Sequence, residues 1–184
     1  RSSDLLPVTD ILNGYSTSID RKGAQKHIKI FLASSSELKV EREQFEIFIH
    51  RENQRLYKNG IFMELIVWEN FIDAISQTRL QDEYNNAVKN SDIFVSLFFT
   101  KAGKFTQEEF EKAFGQFQKT GKPLVYTYFK DGDINMESIT DEVQSFLDFR
   151  KRVFELGHYR TIYKNIEDLK LQFRNQLDKI LPKL

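Results

Sequence analysis

The continuous apolar run Ile93-Phe94-Val95-Ser96-Leu97-Phe98-Phe99 is the clearest indication of fold class in this chain. The Ser91-Asp92 pair precedes it, and polar residues follow it, so the run has the length of one strand. A strand with one solvated face alternates apolar and polar residues, whereas a strand buried on both faces is apolar throughout. The run therefore predicts a central strand of a parallel sheet that is covered on both faces.

Four further predicted strands alternate with five predicted helices. Such alternation favours right-handed crossovers, which carry a helix over the sheet between one strand and the next. The fold class is therefore predicted as α/β, a flavodoxin-like three-layer fold with a five-stranded parallel sheet and helices on both faces. The predicted strands cover residues 28–33, 61–68, 93–99, 124–129 and 160–163, and the predicted helices cover residues 37–56, 79–89, 108–118, 138–156 and 166–181.

Length and composition favour one cytoplasmic domain. The 184 residues suit a single core, and the 27 basic residues balance the 27 acidic residues, so no summed positive field attracts nucleic acid or anionic membrane. Cysteine is absent, which excludes disulfides and thiolate chemistry. No apolar run has the length of a membrane span. Residues 28–184 are predicted to form the domain, and residues 1–27, with Pro7 and two glycines, a linker or the tail of an upstream module.

Ligands of such sheets bind at the carboxyl edge of the strands, near the topological switch point. The loops at that edge are predicted at residues 33–37, 68–78 and 99–106. The motifs GxGxxG, GxxxxGK[ST], GxSxG and HExxH are all missing, which excludes most familiar mechanisms. No metal site is predicted, because the histidines His27, His50 and His158 lie in the leader, on a helix and before the last strand, without ligand spacing.

Carboxylates remain as the candidates for catalysis. Glu108, Glu109 and Glu111 are predicted to start the helix that follows the central strand, with Thr106 as its N-cap. One interpretation is structural, since acidic side chains at a helix start interact favourably with the helix dipole. The other is functional: Glu109 is expected beside the apolar face, while its two acidic neighbours lean toward solvent. The apolar face consists of Phe110, Ala113, Phe114 and Phe117.

The segment from the central strand to this helix resembles that of TIR (Toll/interleukin-1 receptor) domains. Phe98-Phe99-Thr100, a short loop and Glu109-Phe110-Glu111-Lys112-Ala113 are similar to the place where the third TIR strand leads to a helix bearing the catalytic glutamate. Many TIR domains have a tryptophan before this glutamate and a serine after the strand. Phe105 and Thr100 stand nearest those places here, and Glu108 leaves the assignment of the glutamate open by one residue.

Other segments occur in the order expected of TIR domains. Ile30-Phe31-Leu32-Ala33-Ser34-Ser35 resembles the first strand and its phosphate-side loop, and residues 68–78 fall where the family has its BB loop. Asp92-Ile93-Phe94-Val95 resembles the acidic entry to the central strand. The segment from Ser35 to Arg42 is similar to a bacterial TIR-like branch found in defence and signalling proteins. The resemblance covers about residues 28–181.

The resemblance implies an NAD⁺ glycohydrolase that releases nicotinamide, with NAD⁺ as substrate and no cofactor. Glu109 would hold the ribose and offset the positive charge that develops on the sugar as the bond to the cationic nicotinamide group breaks. The product, ADP-ribose or a cyclised form, stays open. Activity is expected to require self-association, with an upstream sensor or oligomerising domain supplying local concentration. The residues implied in substrate binding are Ser34, Ser35, Ser36, Trp68, Phe71, Arg79, Thr100 and Phe105.

Each of these assignments has an alternative. The serines can be turn and helix-capping residues, the aromatic residues can belong to the core, and Arg79 can pair with an acidic residue on its own helix. For the whole domain, one alternative is a non-catalytic TIR adaptor that mediates homotypic assembly. Another is a nucleoside deoxyribosyltransferase-like enzyme, which also uses a carboxylate at a sugar anomeric centre.

Overall fold

The computed structural model describes residues 26–67, 77–100, 104–133, 137, 139–157 and 160–184, with backbone alone at residues 77–82, 104–106 and 160. The strands are β1 (Lys26–Ser34), β2 (Ile61–Val67), β3 (Ile93–Phe98), β4 (Leu124–Lys130) and β5 (Arg160–Tyr163). The helices are α1 (Lys39–Leu56), α2 (Gln77–Lys89), α3 (Lys104–Thr120), α4 (Asp141–Glu155) and α5 (Ile166–Ile180). Short 3₁₀ helices, Ser36–Leu38 and Tyr57–Asn59, precede and follow α1.

The five strands form one parallel sheet in the order β2-β1-β3-β4-β5. This is the flavodoxin-like order, and it confirms the predicted fold class. The chain moves outward from β1 to β2 and then crosses to β3 on the other side. The carboxyl ends of β1 and β3 therefore form the topological switch point of the sheet.

β3 is buried along its whole length, as its apolar sequence predicts. Ile93, Val95 and Leu97 pack with residues of α1 and α5 on one face of the sheet. Phe94 and Phe98 pack with residues of α2, α3 and α4 on the other face. Two cores on opposite faces require a central strand without a polar side, because each alternate side chain enters a different core.

Glycines end three of the segments where the sequence predicts breaks. Gly60, Gly121 and Gly157 have φ angles of 69°, 76° and 72°, a conformation in which other residues are strained. The start of α4 is set by Thr140, whose hydroxyl accepts a hydrogen bond from the backbone N–H of Val143. The helix boundaries at this end of the chain therefore agree with the sequence signals to within a few residues.

Amide side chains engage both edge strands of the sheet. The Asn53 side chain accepts a hydrogen bond from the Met63 N–H at 2.7 Å and donates one to the Met63 carbonyl at 2.8 Å, on β2. At the opposite edge, the Gln172 side chain donates to the Ile162 carbonyl of β5 at 3.0 Å. These bonds satisfy backbone groups that have no neighbouring strand.

Two of the predicted boundaries differ from the structure in a way that changes the place assigned to a residue. β1 begins at Lys26 rather than at residue 28, so His27 lies on a strand and not in a leader; the Lys26 N–H donates to the Gly60 carbonyl and extends the pairing with β2. α3 begins at Lys104, so Thr106 is inside the helix and is not its N-cap. Residues 104–107 contain no glycine or proline, and nothing in their propensities opposes an earlier start.

In the described part of the chain, no helix combines the length and apolarity needed to cross a membrane.

Candidate active site

The serine residues that follow β1 lie at the switch point, beside the end of β3. Ser35 is buried, and its N–H donates to the Leu97 carbonyl of β3 at 3.2 Å. The Ser34 hydroxyl accepts a hydrogen bond at 2.5 Å from Nη1 of Arg42, a buried guanidinium in the first turn of α1. Ser36 is exposed. The structure thus brings two of the three predicted serines into contact with the groups that form this edge.

The helix-capping interpretation of the serines is wrong in its simple form. The N-cap of α1 is Leu38, and no side chain caps that helix. Ser35 is the N-cap of the preceding 3₁₀ helix, again without a side-chain cap bond. Its hydroxyl instead faces Glu37 Oε1 at 3.3 Å. Because a one-turn 3₁₀ helix precedes α1, the hydroxyl groups of Ser34 and Ser35 contact side chains and do not cap α1.

Glu37 joins the serine segment to the end of β3. Its Oε1 accepts a hydrogen bond from the Thr100 N–H at 2.9 Å, and its Oε2 accepts one from the Thr100 hydroxyl at 2.7 Å. Thr100, one of the predicted binding residues, is therefore held by both of its donors. Two hydrogen bonds from one residue to the same carboxylate fix both the distance and the orientation of that residue relative to the carboxylate.

Glu109 is the buried acidic residue of α3. It is 5% exposed, whereas Glu108 is half-buried and Glu111 is exposed. Phe110 and Ala113 are fully buried on the same side, but Phe117 is 36% exposed and lies only at the margin of that side. The expected orientation of the three carboxylates is therefore the observed one. α3 starts at the carboxyl edge of the sheet, and side chains on a helix lean toward its start, so Glu109 leans toward that edge.

The helix dipole does not explain the burial of Glu109. Because α3 begins at Lys104, the first turn contains no acidic residue, and Glu109 lies in the second turn. The favourable effect of the dipole falls off within the first turn. The interpretation of these glutamates as residues at the start of the helix is therefore wrong, and the burial of Glu109 needs another explanation.

Burial raises the pKa of Glu109 from 4.5 to about 8. Hydrogen bonding with Tyr84 and the positive charge of Lys112 oppose this shift, and the negative charge of Glu108 adds to it. The Tyr84 ring on α2 packs edge-on against Phe31 of β1, with 5.1 Å between the ring centroids. Burial first, and then the negative charge of the neighbouring Glu109, raise the pKa of Tyr84, so its hydroxyl keeps its proton. Glu109 is therefore held at neutral pH mainly as a carboxylic acid.

Replacing Tyr84 by phenylalanine is expected to raise the pKa of Glu109 above about 8, because hydrogen bonding with Tyr84 favours the ionised carboxylate. The phenylalanine ring keeps the packing against Phe31, so the fold is retained. Titration of the Glu109 carboxyl carbon by NMR, in wild type and variant, measures the shift. An unchanged or lower pKa in the variant would contradict the lowering effect of Tyr84 on the pKa of Glu109.

The remaining predicted binding residues are described in part or not at all. Trp68 and Phe71, with most of the predicted BB loop, lie outside the described residues. Arg79 lies in the first turn of α2 and Phe105 in the first turn of α3, and only their backbones belong to the described part of the chain. Thr100, Ser34 and Ser35 lie at the switch point, and Glu109 lies on the face formed by α2 and α3.

Three residues of this region were missed by the sequence interpretation: Tyr84, Arg42 and Glu37. Tyr84 carries a partial signal, because Tyr84 and Val88 lie one turn apart and are both buried, which marks the inner side of α2. Arg42 and Glu37 read as surface charges in an amphipathic helix and a turn. Arg42 of α1 contacts Ser34 at the end of β1, and Glu37 contacts Thr100 after β3. A local sequence pattern does not predict such contacts between separate elements.

The chemistry available here is that of a buried, proton-carrying carboxyl group near the carboxyl edge of a parallel sheet. Such a group can donate a proton, accept one, or as an anion stabilise a positive charge that develops nearby. Among the described residues, no cluster of three histidine or acidic side chains has the arrangement of a metal site.

Solved structures that are similar to this chain include an N-glycosidase and a TIR domain heterodimer. The Clostridium botulinum CMP N-glycosidase BcmB aligns with a TM-score of 0.49 and 14% identity, over 79% of this chain and 98% of that chain. The RPS4 and RRS1 TIR domain heterodimer aligns with a TM-score of 0.46 and 12% identity, over 83% of this chain and 96% of that chain. No protein-family model and no curated protein matches the sequence. At such identities a similarity concerns the arrangement of strands and helices and assigns no role to any residue.

Proposed function

We propose that this chain cleaves the bond between nicotinamide and ribose in NAD⁺, with Glu109 as the catalytic carboxylate. The observation that carries the proposal is the burial of Glu109 to 5% exposure in the second turn of α3, beyond the reach of the helix dipole. An acidic group that is buried at a cost to its ionisation is typical of functional sites. The resemblance of residues 28–181 to TIR domains supports NAD⁺ as the substrate.

The raised pKa of Glu109 fits this reaction when the substrate is bound. The nicotinamide ring and the anomeric carbon carry a positive charge that grows at the ribose as the bond breaks. A positive charge next to a carboxyl group lowers its pKa, so binding of NAD⁺ favours the ionised form that then stabilises the transition state. Nicotinamide leaves as a neutral base and needs no proton donor. Water, or an atom of the nucleotide itself, then attacks the sugar.

The ionised form of Glu109 is the active one in this mechanism, so kcat/KM is expected to rise with pH and to level off above about 8, the pKa of the free enzyme. The corresponding inflection in kcat is expected at lower pH, because kcat reports the complex in which the bound cation lowers the pKa. Steady-state assays from pH 6 to pH 9.5 measure both. A kcat/KM that falls through this range would contradict the proposal.

A second candidate function rests on the same raised pKa. A carboxylic acid that is protonated at pH 7 can protonate a neutral leaving base, as cleavage of a nucleoside or nucleotide requires. This reaction would resemble that of a nucleoside deoxyribosyltransferase or N-glycosidase. Its pH dependence has the opposite sign, because activity is lost as Glu109 ionises above about 8.

The direct test is chromatography of products from parallel incubations with NAD⁺, with a deoxynucleoside plus a second base, and with a pyrimidine nucleotide. Each incubation is carried out with dilute protein and with protein clustered on a multivalent support, since we propose that self-association, driven in the cell by an upstream module, completes the site. Free nicotinamide from clustered protein is the expected result. Base exchange or free pyrimidine would favour the second candidate, and no turnover of any substrate would favour a non-catalytic assembly module.

A further inference from the structure

We propose that Glu37 is a positioning residue that fixes the end of β3 against the serine segment after β1 and so holds Thr100 in its binding position. The inference rests on the proposed function, because Thr100 is taken as a residue that contacts the substrate. It goes beyond that function by assigning a role to an acidic side chain that the sequence interpretation did not select.

Three hydrogen-bond contacts of Glu37 join it to Thr100 and Ser35. Both carboxylate oxygens accept from Thr100, one from the N–H at 2.9 Å and one from the hydroxyl at 2.7 Å. The Ser35 hydroxyl adds a third contact, at 3.3 Å to Oε1. Because the N–H and the hydroxyl of Thr100 bond to different oxygens of one carboxyl group, the two bonds together restrict the orientation of Thr100.

The location makes these contacts relevant to a ligand. The N–H of Ser35 donates to the Leu97 carbonyl and so attaches the serine segment to β3. Thr100 lies two residues after Phe98, the last residue of β3 that pairs with β4. The contacts of Glu37 therefore connect the carboxyl ends of β1 and β3, the two neighbouring strands at the switch point. The chain after β3 leads directly to α3 and Glu109, so a displaced Thr100 changes the start of that connection. Positioning groups act through such preorganisation and not through chemistry.

Glu37 is exposed, and an exposed contact is weaker than a buried one. A surface glutamate on the same segment provides a matched control. Glu43 on α1 is more than half exposed and pairs only loosely with Lys39, at 3.9 Å. Loss of Glu43 removes a negative charge near the same helix without touching Thr100.

The test compares wild type with Glu37→Ala, Glu37→Gln, Thr100→Val, the Glu37→Ala/Thr100→Val double variant, and Glu43→Ala. Glu37→Ala is expected to raise KM for NAD⁺ about fivefold, with a smaller change in kcat. Glu37→Gln is expected to recover part of the loss, since an amide oxygen still accepts from the Thr100 N–H. The double variant is expected to be little worse than Glu37→Ala alone, because both changes break the same interaction.

Amide hydrogen exchange at Thr100 tests the inference without turnover. Glu37→Ala is expected to speed exchange at Thr100 by about tenfold or more, while Glu43→Ala leaves it unchanged. Unchanged exchange at Thr100, additive kinetic effects, or a lower KM in Glu37→Ala would overturn the inference. A lower KM would identify the carboxylate as a competitor of the substrate. If wild type turns over no NAD⁺ but exchange responds as expected, the proposed function fails and the positioning of Thr100 stands.

Discussion

Glu109→Gln is expected to slow nicotinamide release from NAD⁺ by about 10²–10³-fold while leaving the domain folded, because the amide keeps the shape of the carboxyl group but cannot become an anion. The loss is expected mainly in kcat, since the charge acts on the transition state. Clustered protein is assayed by chromatography of nicotinamide. Thermal unfolding verifies that the variant is folded.

The two acidic neighbours provide matched controls for Glu109→Gln. Glu111 is exposed and pairs with Arg152 at 3.3 Å, so Glu111→Gln is expected to keep the wild-type rate. Glu108→Gln is expected to retain turnover and to lower the pKa of Glu109, because it removes a negative neighbour. Loss of activity in Glu108→Gln with retention in Glu109→Gln would move the assignment by one residue. Loss in neither variant would remove this helix from the mechanism.

The stability of the domain is expected to depend on pH through Glu109. Below pH 4.5 the carboxyl is protonated in both the folded and the unfolded chain. Between pH 4.5 and about 8 the unfolded chain loses this proton and the folded chain keeps it, so the contribution of Glu109 to the free energy of unfolding falls as pH rises. From pH 5 to pH 9 the fall amounts to roughly 4 kcal/mol. Glutamine does not titrate and escapes this loss.

Glu109→Gln is therefore expected to gain stability relative to wild type as pH rises, by about 10 °C in Tm between pH 5 and pH 9. Thermal unfolding of wild type, Glu109→Gln and Glu111→Gln at pH 5, 7 and 9 measures the difference. Glu111→Gln is expected to follow wild type, since Glu111 is exposed. Parallel curves for wild type and Glu109→Gln would show that the buried carboxyl keeps an ordinary pKa. A residue that destabilises the fold and is needed for turnover would have the expected signature of a functional group.

The sheet could be predicted because its signals are local. The apolar run of β3, the glycines Gly60 and Gly157, and the spacing of Phe110 and Ala113 each depend on neighbours in the sequence. The parallel direction of the strands followed from the alternation of strands and helices, whereas their order was not predicted beyond the flavodoxin-like fold class. The start of α3 was predicted too late, because Thr106 resembles an N-cap and the preceding residues carry no signal that distinguishes a turn from a helix.

The site could be predicted only in part. Glu109 was selected by its place after the central strand and by helical spacing, and its burial agrees with that spacing. Its partner Tyr84 could not be selected, because the contact joins two helices that the sequence separates by a strand. The contact of Glu37 with Thr100 spans 63 positions and depends on the pairing of β1 with β3. Contacts of this kind form only when distant segments are brought together by the fold, so they cannot be predicted from the spacing of residues along the sequence.

The amide side chains on the two outer strands bear on how such a protein behaves when many copies are crowded together. An unoccupied row of backbone donors and acceptors is a template on which another chain can add a strand, and high local concentration promotes such addition. The Asn53 side chain hydrogen-bonds to the N–H and the carbonyl of Met63 on one outer strand, and the Gln172 side chain hydrogen-bonds to the carbonyl of Ile162 on the other. When copies are gathered on a multivalent support, these bonds therefore leave fewer backbone groups on each outer strand available to an added strand.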